Sequence, residues 1–214
     1  GALFVWGLGT SGQLGDGTVI NKSSPVQIGT SSWTAVSSGV EHTIAVRSDG
    51  TLWGWGGNGY GQLGISTISG KSSPVQIGTS SWSKVAAGGT YTVAVRSDGT
   101  LWSWGRNDNG QLGDGTTVSK SSPVLINSGS WTTVTAAYTA TAAIRFDGTL
   151  WGWGKNDLGQ LGDGTTINKS SPVFVDIAST TPYVKVRTVQ LAPGNSSLAT
   201  IAGQTFALRS DGVL

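Results

Sequence analysis

The chain has 214 residues, of which 34 are glycine and 11% are charged, and it contains no cysteine. This composition is typical of short strands and tight turns, and it excludes disulfides and thiolate metal sites. The net charge of +2 is a near-cancelling sum and argues against a nucleic-acid partner, while no apolar run approaches the roughly 20 residues of a membrane span.

One segment recurs along the chain at a fixed interval of 49 residues. Four tryptophans keep this spacing: Trp6, Trp55, Trp104 and Trp153. Copies of Gly-Gln-Leu-Gly and of Ser-Ser-Pro keep it as well. A period of this size is typical of propellers and solenoids. The sequence therefore predicts one array with repeats at 1–49, 50–98, 99–147 and 148–211, the last carrying an insertion near 184–204.

Each repeat predicts about four short strands. A strand is expected at Pro74–Ile77, and the following segment, Trp82–Trp104, alternates apolar with small or polar residues. This segment is interrupted at Gly-Gly-Thr and at Asp-Gly, and Asp-Gly between two such runs is a strong hairpin signal. No stretch has helical periodicity. The predicted fold is an all-β propeller with four-stranded antiparallel blades.

The tryptophans predict how the blades pack. In Leu52–Trp55 the two indoles fall on one face of the strand and Gly54 on the other, which would allow neighbouring blades to nest. We expect inter-blade packing from seven of them: Trp6, Trp53, Trp55, Trp102, Trp104, Trp151 and Trp153.

The repeated residues resemble those of a known family. Trp-Gly, a following Asn, Gly-Gln-Leu-Gly, Pro-Val and "VAAGG…VAVRSDG" are similar to the repeat of the regulator of chromosome condensation family, over essentially the whole chain. Kelch repeats have a similar period but carry a double glycine in each copy, whereas Gly56-Gly57 occurs in only one of the repeats here. The resemblance implies a seven-bladed propeller, to which four repeats would contribute an arc. Near-identical copies without cysteine look similar to bacterial and bacteriophage members.

Several segments match catalytic or ligand-binding motifs only in part. The GxGxxG match at 7–12 is followed by no helix, the phosphate-loop match at 64–72 has the wrong spacing, and 107–115 lacks the closing Glu of a calcium loop. The single histidine, His42, cannot supply a histidine metal cluster. We therefore predict no enzyme activity, no metal and no cofactor.

Partner contacts are expected where the repeats differ, because loops on a rigid scaffold carry most binding residues. The candidates are Glu41, His42, Tyr60, Thr90, Tyr91, Arg106, Tyr138, Lys155, Pro193, Gly194 and Asn195. The last three lie in the insertion, which lengthens one hairpin; neutral drift and a tolerated insertion are the alternatives. The repeated lysines and arginines are predicted to be solvated turn residues, each arginine being offset by an Asp two residues later.

These observations predict a non-catalytic structural or protein-recognition module that binds a protein partner or assembles with itself, with an extracellular or virion surface as the favoured location. The first alternative, implied by the resemblance, is a guanine-nucleotide-exchange or chromatin-associated regulator. The second is a protein inhibitor that uses a propeller face, with Tyr91 and Tyr138 as aromatic anchors.

Overall fold

The computed structural model describes residues 1–175 and, further along the chain, two strands at 183–187 and 206–209. All of its regular elements are strands. The bounds in the first part of the chain are β1 Phe4–Gly7, β2 Lys22–Gln27, β3 Trp33–Ser38, β4 His42–Arg47, β5 Leu52–Gly56, β6 Lys71–Gln76, β7 Trp82–Ala87 and β8 Tyr91–Arg96. The bounds in the second part are β9 Leu101–Gly105, β10 Lys120–Asn127, β11 Trp131–Ala136, β12 Ala140–Arg145, β13 Leu150–Gly154, β14 Lys169–Phe174, β15 Tyr183–Arg187 and β16 Phe206–Arg209.

The strands form antiparallel sheets in chain order. Sheet 1 contains β1 and β2, sheet 2 contains β3 to β6, sheet 3 contains β7 to β10, sheet 4 contains β11 to β14, and sheet 5 contains β15 and β16. Sheets 1 and 5 together supply the four strand positions of one further blade, since β1 and β2 match β5 and β6 in the 49-residue repeat. The prediction of an all-β chain with four-stranded antiparallel blades is confirmed. No pairing between described strands closes the sheets into a ring.

Successive sheets pack through their first strands. Strand β7 contacts β3 and β4 of the preceding sheet, and β11 contacts β7 and β8 in the same way. The first strands therefore lie innermost, as in a propeller in which blades are arranged around a central axis.

A repeated hairpin turn explains the Asp-Gly-Thr segment. Gly50 adopts a φ of +83°, which a glycine tolerates without steric strain. Asp49 Oδ1 accepts hydrogen bonds from the backbone N–H and the hydroxyl of Thr51. The Thr51 hydroxyl oxygen in turn accepts a bond from the Trp53 indole at 2.8 Å. The same bonds recur in sheets 3 and 4, so this segment is repeated because it forms the same turn each time.

The Gly-Gln-Leu-Gly loop joins one sheet to the next. The Trp104 indole Nε1 in sheet 3 donates a 2.9 Å hydrogen bond to the carbonyl of Gln62 in sheet 2. Trp55 donates an equivalent bond to Gln13 of sheet 1. The loop approaches the ring so closely that a Cβ added at Gly64 would lie 2.7 Å from Trp104 Nε1. Glycine is therefore required by space as well as by conformation.

The interface between sheets 2 and 3 is a single hydrophobic cluster. Ile44, Leu63 and Ile77 from sheet 2 pack in it with Trp82 and Trp104 from sheet 3. A Cβ at Gly54 would come within 3.0 Å of Ile44 and Ile77, so the missing side chain provides the space that these residues fill.

The tryptophans are buried to different extents. Trp55, Trp104 and Trp153 are fully buried, but Trp6 is 62% exposed. Among the described residues β1 pairs only with β2 and no loop covers the Trp6 ring, so inter-blade packing of Trp6 stays a prediction. The other three, Trp53, Trp102 and Trp151, are half-buried and stack against an arginine of their own sheet.

Replacing Gly64 with alanine tests the close contact between loop and indole, with Gly78→Ala as a matched control. Both glycines have positive φ, +69° and +60°, but a Cβ at Gly78 would meet no atom within 4 Å. Gly78→Ala should lose only the roughly 1–2 kcal/mol of left-handed backbone strain. Gly64→Ala should lose a further 1–3 kcal/mol or so from overpacking. Urea unfolding measures both, and equal losses would contradict the assigned contact.

Candidate functional site

The two ends of the strands carry different connections. One end, here called the loop end, carries the short β3–β4 type loops (39–41, 88–90 and 137–139) and the long β5–β6 type loops (57–70, 106–119 and 155–168). The opposite end, here called the turn end, carries the Asp-Gly-Thr turns at 48–51, 97–100 and 146–149. The loop end holds the sequence variation and is therefore the candidate functional site.

Backbone hydrogen bonds fix the short loops to one another. The N–H of Val40 donates to the carbonyl of Gly89 in the next sheet, and the N–H of Gly89 donates to the carbonyl of Tyr138 in the sheet after that, both at 3.1 Å. Side chains on these loops therefore project from a connected backbone.

A buried asparagine organises each long loop. Asn107 Oδ1 accepts a bond from the N–H of Leu112, and its Nδ2 donates to Asp114 and to the carbonyls of Thr116 and Val118. Asn58 and Asn156 make the corresponding bonds to their own loops. The asparagine recurs in the sequence, but its role as the centre of the loop was not predicted.

The repeated lysines are ion-paired rather than simply solvated. Three of them lie 3.0 to 3.5 Å from an aspartate: Lys22 from Asp16, Lys120 from Asp114 and Lys169 from Asp163. Burial alone would raise the pKa of Asp163, but hydrogen bonds from Thr165 and the nearby Lys169 lower it to about 2. Repeat two has Ile65 at this position, and within the described residues Lys71 has no ion-pair partner.

Two candidate side chains are in contact at the loop end, and a third is exposed near them. Arg106 Cζ lies 4.9 Å from the Tyr60 ring centroid, and the phenols of Tyr60 and Tyr138 both influence the pKa of Arg106, which its Asp108 partner raises. Tyr60 and Tyr138 are 45% and 47% exposed. A cleft of about 120 Å³ continues this surface beside Tyr138 and contains Lys155 and Leu158.

Two other candidates lie inside the protein. His42 and Tyr91 are fully buried, so the expectation that they reach a partner is wrong. Tyr91 donates a 2.6 Å hydrogen bond to the carbonyl of Ala140, and His42 Nε2 lies 3.1 Å from Thr92 Oγ1. Both therefore join neighbouring sheets. Burial lowers the pKa of His42 to about 4 and raises the pKa of the Tyr91 phenol.

Of the remaining candidates, some lie in the described loops and some lie outside the described residues. Glu41 is exposed and Thr90 is half-buried, and their carbonyls accept bonds from Gly57 and Arg106 that fix the start of each long loop. Pro193, Gly194 and Asn195 lie outside the described residues, as does most of the predicted insertion. In the described part of the chain no cluster of three or more His, Asp or Glu side chains could hold a metal ion. That same part has no helix with the length and apolar character needed to cross a membrane.

The arginines at the turn end stack on indoles. Arg96 Cζ lies 3.7 Å from the Trp102 ring centroid and 5.2 Å from that of Trp82. Asp98 bonds to Thr100, and these bonds and the charge of Arg96 both lower the pKa of its carboxyl, in agreement with the predicted offset of charge. The cation–π contact with the indoles fixes the position of these arginines in addition to that offset, and it was not predicted.

Comparison with known families agrees with this geometry. The sequence model described as "Regulator of chromosome condensation (RCC1) repeat" matches residues 1–46, 49–95, 98–144 and 147–197. The chain belongs to the regulator of chromosome condensation repeat family. The resemblance inferred from its motifs is thereby confirmed.

Solved structures of this family share the fold. Human WBSCR16 is 26% identical with a TM-score of 0.78, and 87% of this chain aligns with 50% of that one. Prp20p from Saccharomyces cerevisiae is 24% identical with a TM-score of 0.78, and 87% of this chain aligns with 49% of that one. Its reported structure is described with its binding to Gsp1p and histones. The chain thus spans about half the length of these proteins. No curated protein sequence matches it.

His42→Tyr tests the burial of the imidazole. A tyrosine there should make the bond that Tyr91 makes in the next repeat, and it removes a group whose folded pKa is depressed. Between pH 6.5, the ordinary pKa of histidine, and about pH 4, His42 is protonated in the unfolded chain but stays neutral in the folded protein. The free energy of unfolding of the wild type therefore decreases as the pH falls through this range. We expect an extra wild-type loss of about 2–3 kcal/mol between pH 7 and pH 4.5. Urea unfolding of both proteins at each pH measures this difference. The same pH dependence in the two proteins would contradict the burial of His42.

Proposed function

We propose that the loop end is a protein-recognition surface of a non-catalytic propeller. The observation that carries the proposal is the exposed contact between Tyr60 and Arg106 of successive repeats, with the exposed Tyr138 close enough to influence the pKa of Arg106. Tyrosine and arginine are enriched among the residues that dominate the free energy of protein binding. The backbone bonds between short loops hold this surface in place before a partner arrives, which reduces the entropy lost on binding.

Exposed aliphatic side chains extend this surface. Each repeat places one on its long loop, close to the loop end: Ile20, Ile68, Val118 and Ile167 are between 62% and 66% exposed. Apolar side chains that recur at one end of a molecule mark an interaction surface more strongly than scattered ones. The proposed partner is therefore a protein that offers apolar and acidic groups together.

The chain is proposed to be an arc of a seven-bladed ring. The support is the family membership and the alignment of this chain with about half of two related propellers. The intact mass of the native polypeptide, together with the mass of its assembly, tests this: about seven repeats per ring supports it, and a closed assembly with another blade number contradicts it. The extracellular or virion location, the insertion as an interface, and the exchange-factor and inhibitor alternatives remain predictions.

Photo-crosslinking tests the proposed surface. p-Benzoylphenylalanine at position 60 or 138 should give the same protein adduct in an extract of the source cells. Position 146, where Phe146 is 81% exposed at the turn end, is the matched control and should give none. Tyr60→Ala and Tyr138→Ala should each weaken binding of the captured protein about tenfold or more, whereas Phe146→Ala should not. Equal adducts at all three positions, or an adduct at position 146 alone, would contradict the proposal.

A further inference from the structure

A groove of about 480 Å³ lies between sheets 2 and 3, away from the loop end. Its walls include Ile65, Val75 and Ile77 on one side and Trp82 and Trp102 on the other. This volume falls within the range of typical ligand sites, which are mostly apolar with a few polar groups that fix orientation. The one charged residue that lines this groove is Arg96.

Arg96 is held in a fixed orientation and makes no ion pair with the described residues. Its guanidinium stacks 3.7 Å from the Trp102 ring centroid, which fixes the plane of its N–H groups. Its Nε is buried and has no hydrogen-bond partner. The ion pairs of the described residues involve Lys22, Arg106, Lys120, Lys155 and Lys169, but not Arg96. The charge of Arg96 does reach Asp98, two residues later, but the Asp98 carboxylate is bonded to Thr100 and makes no ion pair with the guanidinium. A preorganised guanidinium with no carboxylate bonded to it favours an anionic ligand.

The corresponding grooves differ in one respect. The groove around Arg47 contains Asp16, and the groove around Arg145 contains Asp147. In the groove around Arg96, Ile65 replaces the aspartate of the first repeat, so its lining carries one charged side chain. Each of the three arginines also influences the aspartate two residues later, so what distinguishes this groove among the three in the described residues is that no carboxylate lines it.

The shape of the groove favours an extended chain as the carrier of the anion. One wall is formed by β6, the outermost strand of sheet 2, through Val75 and Gln76, and Pro123 contributes to the other wall. An extended peptide can place alternate side chains against such a wall. The apolar and aromatic walls favour apolar side chains on either side of the acidic residue of such a peptide.

We propose that the groove between sheets 2 and 3 binds an acidic peptide segment whose carboxylate is held by Arg96. The flanking apolar side chains contact Trp102 and Ile65. Strand β8 runs from Tyr91 next to the loop end to Arg96 next to the turn end. These two residues are about 17 Å apart at the usual rise per residue. The groove is thus a second site, independent of the loop-end surface.

The test is an NMR titration of the isotope-labelled 214-residue chain with acetyl-Val-Glu-Val-amide. The matched probe is acetyl-Val-Gln-Val-amide, which keeps the shape and removes the charge. We expect saturable shifts of the Trp102 indole and Arg96 Nε–H signals, with the Glu peptide bound at least about tenfold more tightly. Arg96→Gln should abolish this preference, and Arg47→Gln, the same change in the neighbouring groove, should retain it.

Equal binding of the two peptides, or no saturable shift, would overturn the proposal without relying on any variant. If Arg96→Gln proves unfolded by circular dichroism, this wild-type comparison decides alone. Inorganic phosphate is titrated as a competitor, and tighter binding of phosphate than of the Glu peptide would overturn the assignment of a peptide carboxylate.

Discussion

The hydrogen bond from a tryptophan indole to the backbone carbonyl of a glutamine in the preceding sheet is the contact on which this arc depends. It connects Trp104 to Gln62 and Trp55 to Gln13, and in both cases the glycine two residues after the glutamine allows the ring to approach. The Thr92 hydroxyl donates to the same Gln62 carbonyl. Burying these polar groups is tolerated because each carbonyl is satisfied across the interface. The first two repeats thus supply the acceptor for the tryptophan of the next repeat. In the third, the Gln111 carbonyl accepts a bond from Thr141, while Trp153 Nε1 is buried with no hydrogen-bond partner.

The division between shared and variable residues follows from this contact. The glycine, glutamine and tryptophan positions cannot vary independently, because the glycine must leave space for the indole ring to reach hydrogen-bond distance of the glutamine carbonyl. Side chains beyond the interface are not constrained in this way, and Tyr60, Arg106 and Tyr138 differ from their counterparts at the loop end. The turn end shows a third pattern: the same arginine stacks on tryptophan in each described repeat, but the surrounding charges differ.

Much of the fold could be predicted from the sequence, because a 49-residue period, alternating strands and Asp-Gly turns all encode local geometry. The candidate site was harder to predict. His42 and Tyr91 vary between repeats and look like loop residues, but their side chains turn inward to bond the next sheet, and only the packing against it reveals this. Trp6 and Trp55 share a motif, but Trp55 is covered by the loop of the preceding repeat whereas no described loop covers Trp6, so burial depends on the neighbouring repeat and not on the motif alone. The stacking of Arg96 could not be predicted because it requires the register of β8 against β9 and β7.

The central claim is that the indole-to-carbonyl bonds hold neighbouring sheets together, and hydrogen exchange of the indole N–H groups measures this most directly. Trp55 and Trp104 are fully buried and bonded across sheets, whereas Trp53 and Trp102 are half-buried and bonded to a threonine of their own turn. We expect the Trp55 and Trp104 indole protons to exchange only with global unfolding, and those of Trp53 and Trp102 to exchange by local opening. Exchange of all four at similar rates would contradict the account.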